Sequence, residues 1–235
     1  MRIDNALEQL ARRHGLSPDQ GAQLARLAGY IDSNAHAPTS ARARAAAFDV
    51  HIADSLVGLQ VDALLRARRI ADIGSGAGFP GIPLAVALPP ATVSLVESQS
   101  RRCVFLELAA AETGAANATV VCSRVEEWDH GKAFNDAVVA RALAEQAVVL
   151  EYAAPLLRAG GAVVDWRGRR SLPEEEQALR AAEELGLERE EVRRVSPYAA
   201  AEERHLHLYL KVSATPPRFP RRAGVARRRP LGVAQ

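Results

Sequence analysis

The stretch IADIGSGAGFPGIPL, residues 70–84, places an apolar run, the carboxylate of Asp72, four glycines and two prolines in fifteen positions. A glycine-rich turn between a strand and a helix offers bare backbone N–H groups to a ligand. Such a turn can serve a dinucleotide, a nucleoside triphosphate or S-adenosylmethionine, or it can be only a tight corner. Gly76-Ala77-Gly78-Phe79-Pro80-Gly81 satisfies GxGxxG, and Glu97 stands about twenty residues on, where a ribose-binding acid belongs. The glycines alone do not choose among these ligands, but their neighbours do. A carboxylate just before the loop opposes a pyrophosphate and suits the ammonium and sulfonium charges of S-adenosylmethionine. Pro80 removes an N–H donor that a pyrophosphate would use, while Pro80 and Pro83 both suit a first helical turn. No GxxxxGK[ST] occurs in the loop. The D-x-G-x-G-x-G form therefore favours S-adenosylmethionine over NAD. In that reading the loop glycines Gly74, Gly76 and Gly78 cradle the donor, Glu97 takes its ribose hydroxyls, and SRVEEW (123–128) lies beside its adenine. Glu97 could equally be a solvated strand end.

The elements that must position these residues follow from periodicity. Apolar residues from Ile3 to Ile31 recur at helical spacing, interrupted by His14-Gly15 and Ser17-Pro18, which predicts two N-terminal helices. A loop follows, then a helix through Ala46 to Leu65. From Arg69 onward, strands expected at 70–73, 92–97, 119–122, 136–140 and 162–166 alternate with helical segments, the pattern of a parallel sheet covered on both faces. After an acidic helix over 173–185, strand candidates at 191–195 and 206–212 follow one another with no helix between them, so they are expected to pair antiparallel. The expected organisation is a helical region over 1–65 packed on the core, an α/β domain over 66–213 and a basic tail over 214–235.

Composition narrows the classes further. With 235 residues, 48% of them apolar, the chain can bury a sizeable core. It has neither an apolar run of membrane-spanning length nor a signal-peptide core, so a cytoplasmic, membrane-free protein is expected. Cys103 and Cys122 are too far apart for a CxxC motif and read as two buried small hydrophobes, with no disulfide and no metal site. The net charge of +2 conceals an asymmetry, because residues 216–235 carry six arginines and no acid, leaving the remainder at about −4. Such a tail suits a polyanionic partner, since arginine matches phosphate bidentately; a disordered solubilising terminus has the same composition.

Several stretches resemble one family. HIADSL, DIGSGAGFPGIPL, LVESQSRRCVFL, SRVEEW, VVARAL, EERHL and PPRFPRRAGVARRRPLG are similar, in matching order, to the bacterial 16S ribosomal RNA guanine-N7 methyltransferases, the RsmG or GidB family. The resemblance implies a Rossmann-like class I methyltransferase fold, with an antiparallel C-terminal strand and N-terminal helices. It implies S-adenosylmethionine as donor, and a guanine of the small ribosomal subunit near the decoding site as acceptor. Carried over by motif, donor contacts fall on Gly74, Phe79, Val125, Glu126 and Arg141. His51 and Asp54 occupy the HxxDS positions, and Arg141 and His51 are the expected catalytic pair. Arg101, Arg102, Arg124 and Arg167 fall where the family places basic residues near donor or RNA, and Arg221 and Arg222 of the tail join the RNA-binding set. The chain departs from the family pattern at Asp32-Ser33, Ala37-Pro38-Thr39 and Arg167-Gly168.

What is missing around VVARAL bears on the chemistry. Amino-group methylation uses an Asn/Asp-Pro-Pro-aromatic element at this place, and pyrimidine carbon methylation uses a cysteine. Neither is present. Guanine N7 needs neither, because its in-plane lone pair is unprotonated at neutral pH. The alternatives are a methyltransferase acting on another RNA position or a small molecule, an NAD-dependent oxidoreductase, and a noncatalytic RNA-binding protein. A monomer is expected.

Overall fold

The computed structural model describes residues 2–40 and 47–233. Two helices open the chain, α1 (Arg2–Arg13) and α2 (Pro18–Ser33). Ser17 starts α2 with a capping box: its side chain accepts from Gln20 N–H, while the Gln20 side chain accepts from Ser17 N–H. Leu24, Leu27 and Ile31 on one face of α2 are buried in the main core. Gln20, Gln23 and Arg26 on the same helix donate to backbone carbonyls between Val86 and Gly114. The N-terminal helices thus share one core with the sheet.

The predicted helix over 46–65 is broken into pieces. A π-helical stretch (Ala47–Ala53) runs into a single α turn (Asp54–Leu56), a 3-10 turn (Val57–Gln60) and α3 (Asp62–Arg66); residues 41–46 lie outside the described residues. The π-turn widens the helix by one residue and presents His51 and Asp54 together toward the sheet.

The sheet contains β1 (Arg69–Ile73), β2 (Thr92–Glu97), β3 (Ala118–Cys122), β4 (Asn135–Arg141), β5 (Leu157–Arg167), β6 (Leu187–Val195) and β7 (Arg204–Lys211). Their order is β3-β2-β1-β4-β5-β7-β6. Strands β1 to β5 are parallel, whereas β7 is antiparallel to β5 and to β6. Helices α4 (Gly81–Ala87), α5 (Ser100–Thr113), α6 (Gln146–Ala153) and α7 (Leu172–Leu185) cover the faces, and a short α8 (Val225–Arg228) follows the last strand. Strand order reverses between β1 and β4, so the crevice at their carboxyl ends is where a ligand is expected.

Three differences from the sequence expectation have physical causes. Strand β5 begins at Leu157, not 162, because Gly160, at φ 72°, carries the chain through an irregularity in the pairing with β4 without ending the strand. Strand β6 begins at Leu187, where its charged sequence and a register shift between Arg189 and Glu191 hide the alternation; charge of this kind is how an edge strand avoids further pairing. Cys103 and Cys122 form a disulfide, with Cα atoms 5.7 Å apart. The crossover from β2 through α5 to β3 returns the end of β3 to the first turn of α5, closing 19 residues of sequence separation. No helix among the described residues is long and apolar enough to cross a membrane.

Candidate active site

The glycine loop sits at the crevice. Gly74, Gly76 and Gly78 all have positive φ, at 70°, 56° and 94°, a region that L side chains enter only with strain. At Gly74 the need is also steric, because an added Cβ would lie 2.4 Å from Leu143 Cδ1. Asp72, expected to face the donor's cationic groups, is instead buried behind the loop. Its Oδ2 accepts from Gly81 N–H at 3.0 Å, and its backbone carbonyl accepts from Ser75 Oγ at 2.8 Å. Burial raises its pKa to about 7, against the opposing pull of the Gly81 and Ser75 hydrogen bonds. Oδ1 has no partner among the described residues. Asp72 therefore ties the end of β1 to the first turn of α4, holding the loop in shape.

Glu97 ends β2. Its Oε2 accepts from Gly76 N–H at 3.2 Å and its Oε1 from Gln99 N–H at 2.9 Å, so the carboxylate is held at one place beside the loop. Arg102 Nη1 lies 3.8 Å from Oε2. Glu97, Gly74, Val125 and Glu126 line one cavity of about 560 Å³, a size suited to a cofactor-sized ligand. Arg102, Arg124 and Arg227 line it too. A fixed carboxylate at the end of β2, the tight turn at Gly74, whose N–H is bonded to Val96 O at 2.8 Å, and the Val125–Glu126 turn would serve as a diol acceptor, a close backbone approach and an adenine wall. These residues fit S-adenosylmethionine.

Next to the loop stands a second cluster. Arg141, the last residue of β4, donates from Nη1 to Asp54 Oδ2 at 2.8 Å and to Val50 O at 3.1 Å, and from Nη2 to His51 Nδ1 at 2.9 Å. Its guanidinium carbon lies 5.4 Å from the Phe79 ring centre, and His51 stacks on the same ring at 4.5 Å. His51 Nε2 is 3.0 Å from Thr39 Oγ1; Thr39 belongs to the segment that departs from the family pattern. Burial first and the neighbouring Arg141 second lower the His51 pKa to about 4, so the ring is neutral. With both nitrogens engaged, His51 has the geometry of a residue that positions Arg141. The glycine loop joins the two clusters, since Gly74 belongs to the cavity and Phe79 to the arginine cluster.

The expected RNA-binding arginines divide. Arg101 and Arg124 are exposed, as is Arg222, and Arg101 Nη2 lies 3.2 Å from His36 Nδ1. Arg167 and Arg221 do not face outward as expected. Arg167 donates to Asp165 Oδ2 at 2.6 Å, Glu174 Oε1 at 3.0 Å and Ala144 O at 2.9 Å. Arg221 donates to both oxygens of Glu151, which is fully buried. A buried carboxylate needs a partner, and each arginine supplies one. Sequence reading missed Asp54's other supports, which are Arg204 at 3.4 Å from Oδ1 and Trp166 Nε1 on its carbonyl. It also missed Tyr152, Leu143, Gly224 and Arg227 in the cavity wall. Of these, Leu143, within VVARAL, Arg204, within EERHL, and Gly224 and Arg227, within the tail, lay in stretches with a visible signal. Among the described residues no group of His, Cys, Asp and Glu could hold a metal ion.

Among solved structures the chain is similar to a SAM-dependent O-methyltransferase from Thermotoga maritima, with a TM-score of 0.54 at 18% identity, covering 69% of this chain and 66% of that one. It is also similar to cofactor-bound Rv0187 from MTB, with a TM-score of 0.54 at 21% identity, covering 86% and 92%. These likenesses establish the fold. In sequence it is 39% identical to "Ribosomal RNA small subunit methyltransferase G" of Desulfitobacterium hafniense over 77% of this chain and 76% of that one. It is 41% identical to the protein of the same name from Rubrobacter xylanophilus over 77% and 72%. The GidB family model, described as rRNA small subunit methyltransferase G, matches residues 33–207. With the donor cavity at the crevice of this fold and that match over most of its length, the chain belongs to the rRNA small subunit methyltransferase G family, whose methyl donor is S-adenosylmethionine.

Proposed function

We propose that the chain methylates N7 of a guanine in 16S ribosomal RNA near the decoding site, as a cytoplasmic monomer. The observation that carries this reading is the pairing of a donor cavity lined by Glu97 and Glu126 with an Arg141 cluster that offers no general base. S-adenosylmethionine supplies the methyl group on a sulfonium. Gly74, Gly76 and Gly78 would hold its backbone-facing side, Glu97 its ribose, and Val125 and Glu126 its adenine. Guanine N7 brings its own lone pair, so the protein contributes alignment and the exclusion of water. His51, neutral and bonded to Arg141 through Nδ1, takes no proton; it and Asp54 fix the guanidinium against Phe79. Arg141 then orients the incoming base or the donor's carboxylate.

Arg101, Arg124 and Arg222, exposed around the cavity and on the tail, are the proposed phosphate contacts. In the cytoplasm the Cys103–Cys122 bridge would meet thiol reductants.

The test is methyl transfer to small subunits isolated from a strain lacking the modification, with the product located by strand scission specific for N7-methylguanine. A single scission in the decoding region is expected. Label on an exocyclic amine, or on another nucleotide, would refute the N7 assignment.

A further inference from the structure

The C-terminal segment was expected as a free basic arm, yet it is built into the fold. Beyond β7, Thr215 Oγ1 donates to Leu185 O at 2.8 Å and Arg218 pairs with Glu184 at 3.0 Å. Phe219 is buried in the second apolar cluster. Arg221 saturates the buried carboxylate of Glu151, whose Oε1 also accepts from Arg221 N–H at 3.1 Å. Further on, Gln177 donates to Leu231 O at 3.0 Å and Arg180 to Gly232 O at 2.7 Å, fastening the segment to α7. A segment with two buried residues, Phe219 and Ala226, and a buried ion pair is ordered by the same terms that order a core.

Between these anchors the segment crosses the donor cavity. Gly224 N–H donates to Glu126 Oε1 at 3.0 Å, and Arg227 Nη2 donates to Leu143 O at 3.0 Å. Tyr152 on α6 lines the cavity together with Glu126 and Arg227. Two loops bound this side of the cavity, one after β3 carrying Glu126 and one after β4 carrying Leu143. The C-terminal segment bridges the two.

We infer that residues 216–233 complete the wall of the donor pocket, and that Arg227 is a positioning residue for S-adenosylmethionine, tying the Leu143 loop to the segment whose Gly224 N–H holds Glu126. This rests on the reading that the cavity is the donor's. A free arm would contribute to RNA affinity and its salt dependence; a wall contributes to donor affinity.

The experiment is calorimetric titration of the full-length protein with S-adenosylhomocysteine, comparing Arg227→Ala, Arg227→Lys, Arg228→Ala and Glu97→Gln, with filter binding to 16S RNA alongside. Arg227 is exposed, so its variants are expected to melt as the wild type does. Arg227→Ala should bind S-adenosylhomocysteine about tenfold more weakly, with a matching rise in KM for the donor at nearly unchanged kcat. Arg227→Lys should recover part of the loss, and Arg228→Ala should bind normally. If Arg227→Ala keeps donor affinity while Glu97→Gln loses it, the donor reading stands and the wall is refuted. If neither variant changes donor binding, the cavity itself has been misassigned. Loss of RNA affinity with intact donor affinity in Arg227→Ala would return the segment to the role of an RNA arm and also overturn the proposal.

Discussion

Nη2 of Arg141 donates to Nδ1 of His51 at 2.9 Å, and because a guanidinium can only donate, that contact fixes the imidazole tautomer. The remaining proton is on Nε2, directed at Thr39 Oγ1. A histidine in a reactive setting is commonly a general base, but here its lone pair is already committed to an arginine. The chemistry left to this corner is orientation.

His51 and Arg141 should therefore fail as a unit. Arg141→Ala is expected to lower kcat by about a hundredfold or more, and His51→Gln by about tenfold, values in the range for lost positioning. The double variant should be little worse than Arg141→Ala, since His51 acts through it. Steady-state kinetics on the four proteins check this; fully additive losses would show that the two act separately.

The His51 pKa also predicts a pH dependence. Its folded value of about 4 lies below the ordinary 6.5, so the unfolded chain binds the proton more readily. The stability this neutral histidine contributes is complete above about pH 6.5 and is lost as pH falls toward 4. His207, lowered to about 4 by burial, acts in the same direction. Asp72 and Asp165, raised by burial to about 7 and about 6, act oppositely: their contribution is present below the ordinary carboxylate range and lost as pH rises. The useful quantity is the difference between wild type and His51→Gln, which should shift in favour of wild type by at most about 3 kcal/mol between pH 4 and 6.5. Urea titrations across that range measure it, and a flat difference would refute the buried neutral assignment.

Asp72→Asn should retain the fold and bind S-adenosylhomocysteine within about threefold of wild type, because an amide oxygen can still accept from Gly81 N–H. Above pH 7 the variant should be the more stable, having no buried charge to ionise. A large loss of donor affinity without loss of stability would instead give Asp72 the direct electrostatic role that its place in the sequence suggests.

Arg124 and Arg167 separate RNA contact from internal pairing. Arg167→Ala strips Asp165 of its closest cation and should cost about 3 kcal/mol, seen as a fall in Tm of roughly 6–12 °C. Arg124→Ala should leave Tm unchanged and weaken 16S RNA binding, with the slope of log affinity against log salt reduced by about one. The reverse assignment of effects would exchange their roles.

Gly74, Glu97, Val125 and Glu126, which line the crevice cavity, were legible in consecutive sequence. Asp72, the glycine loop, Glu97 and SRVEEW are each local: a strand end, a turn or a loop whose backbone needs are written in consecutive residues. Parallel strand alternation then places those ends side by side. The two N-terminal helices were legible for the same reason, down to the break at His14-Gly15 and Ser17-Pro18. Pairings across long separations were set by the folded arrangement instead. Arg221 with Glu151, Arg227 with Leu143 and the Cys103–Cys122 bridge depend on which surfaces the sheet order brings together. A row of arginines has the same composition whether it meets phosphate or buried carboxylates. The burial of Glu151 on α6, visible only after folding, decides where Arg221 goes, and with it where the rest of the C-terminal segment lies.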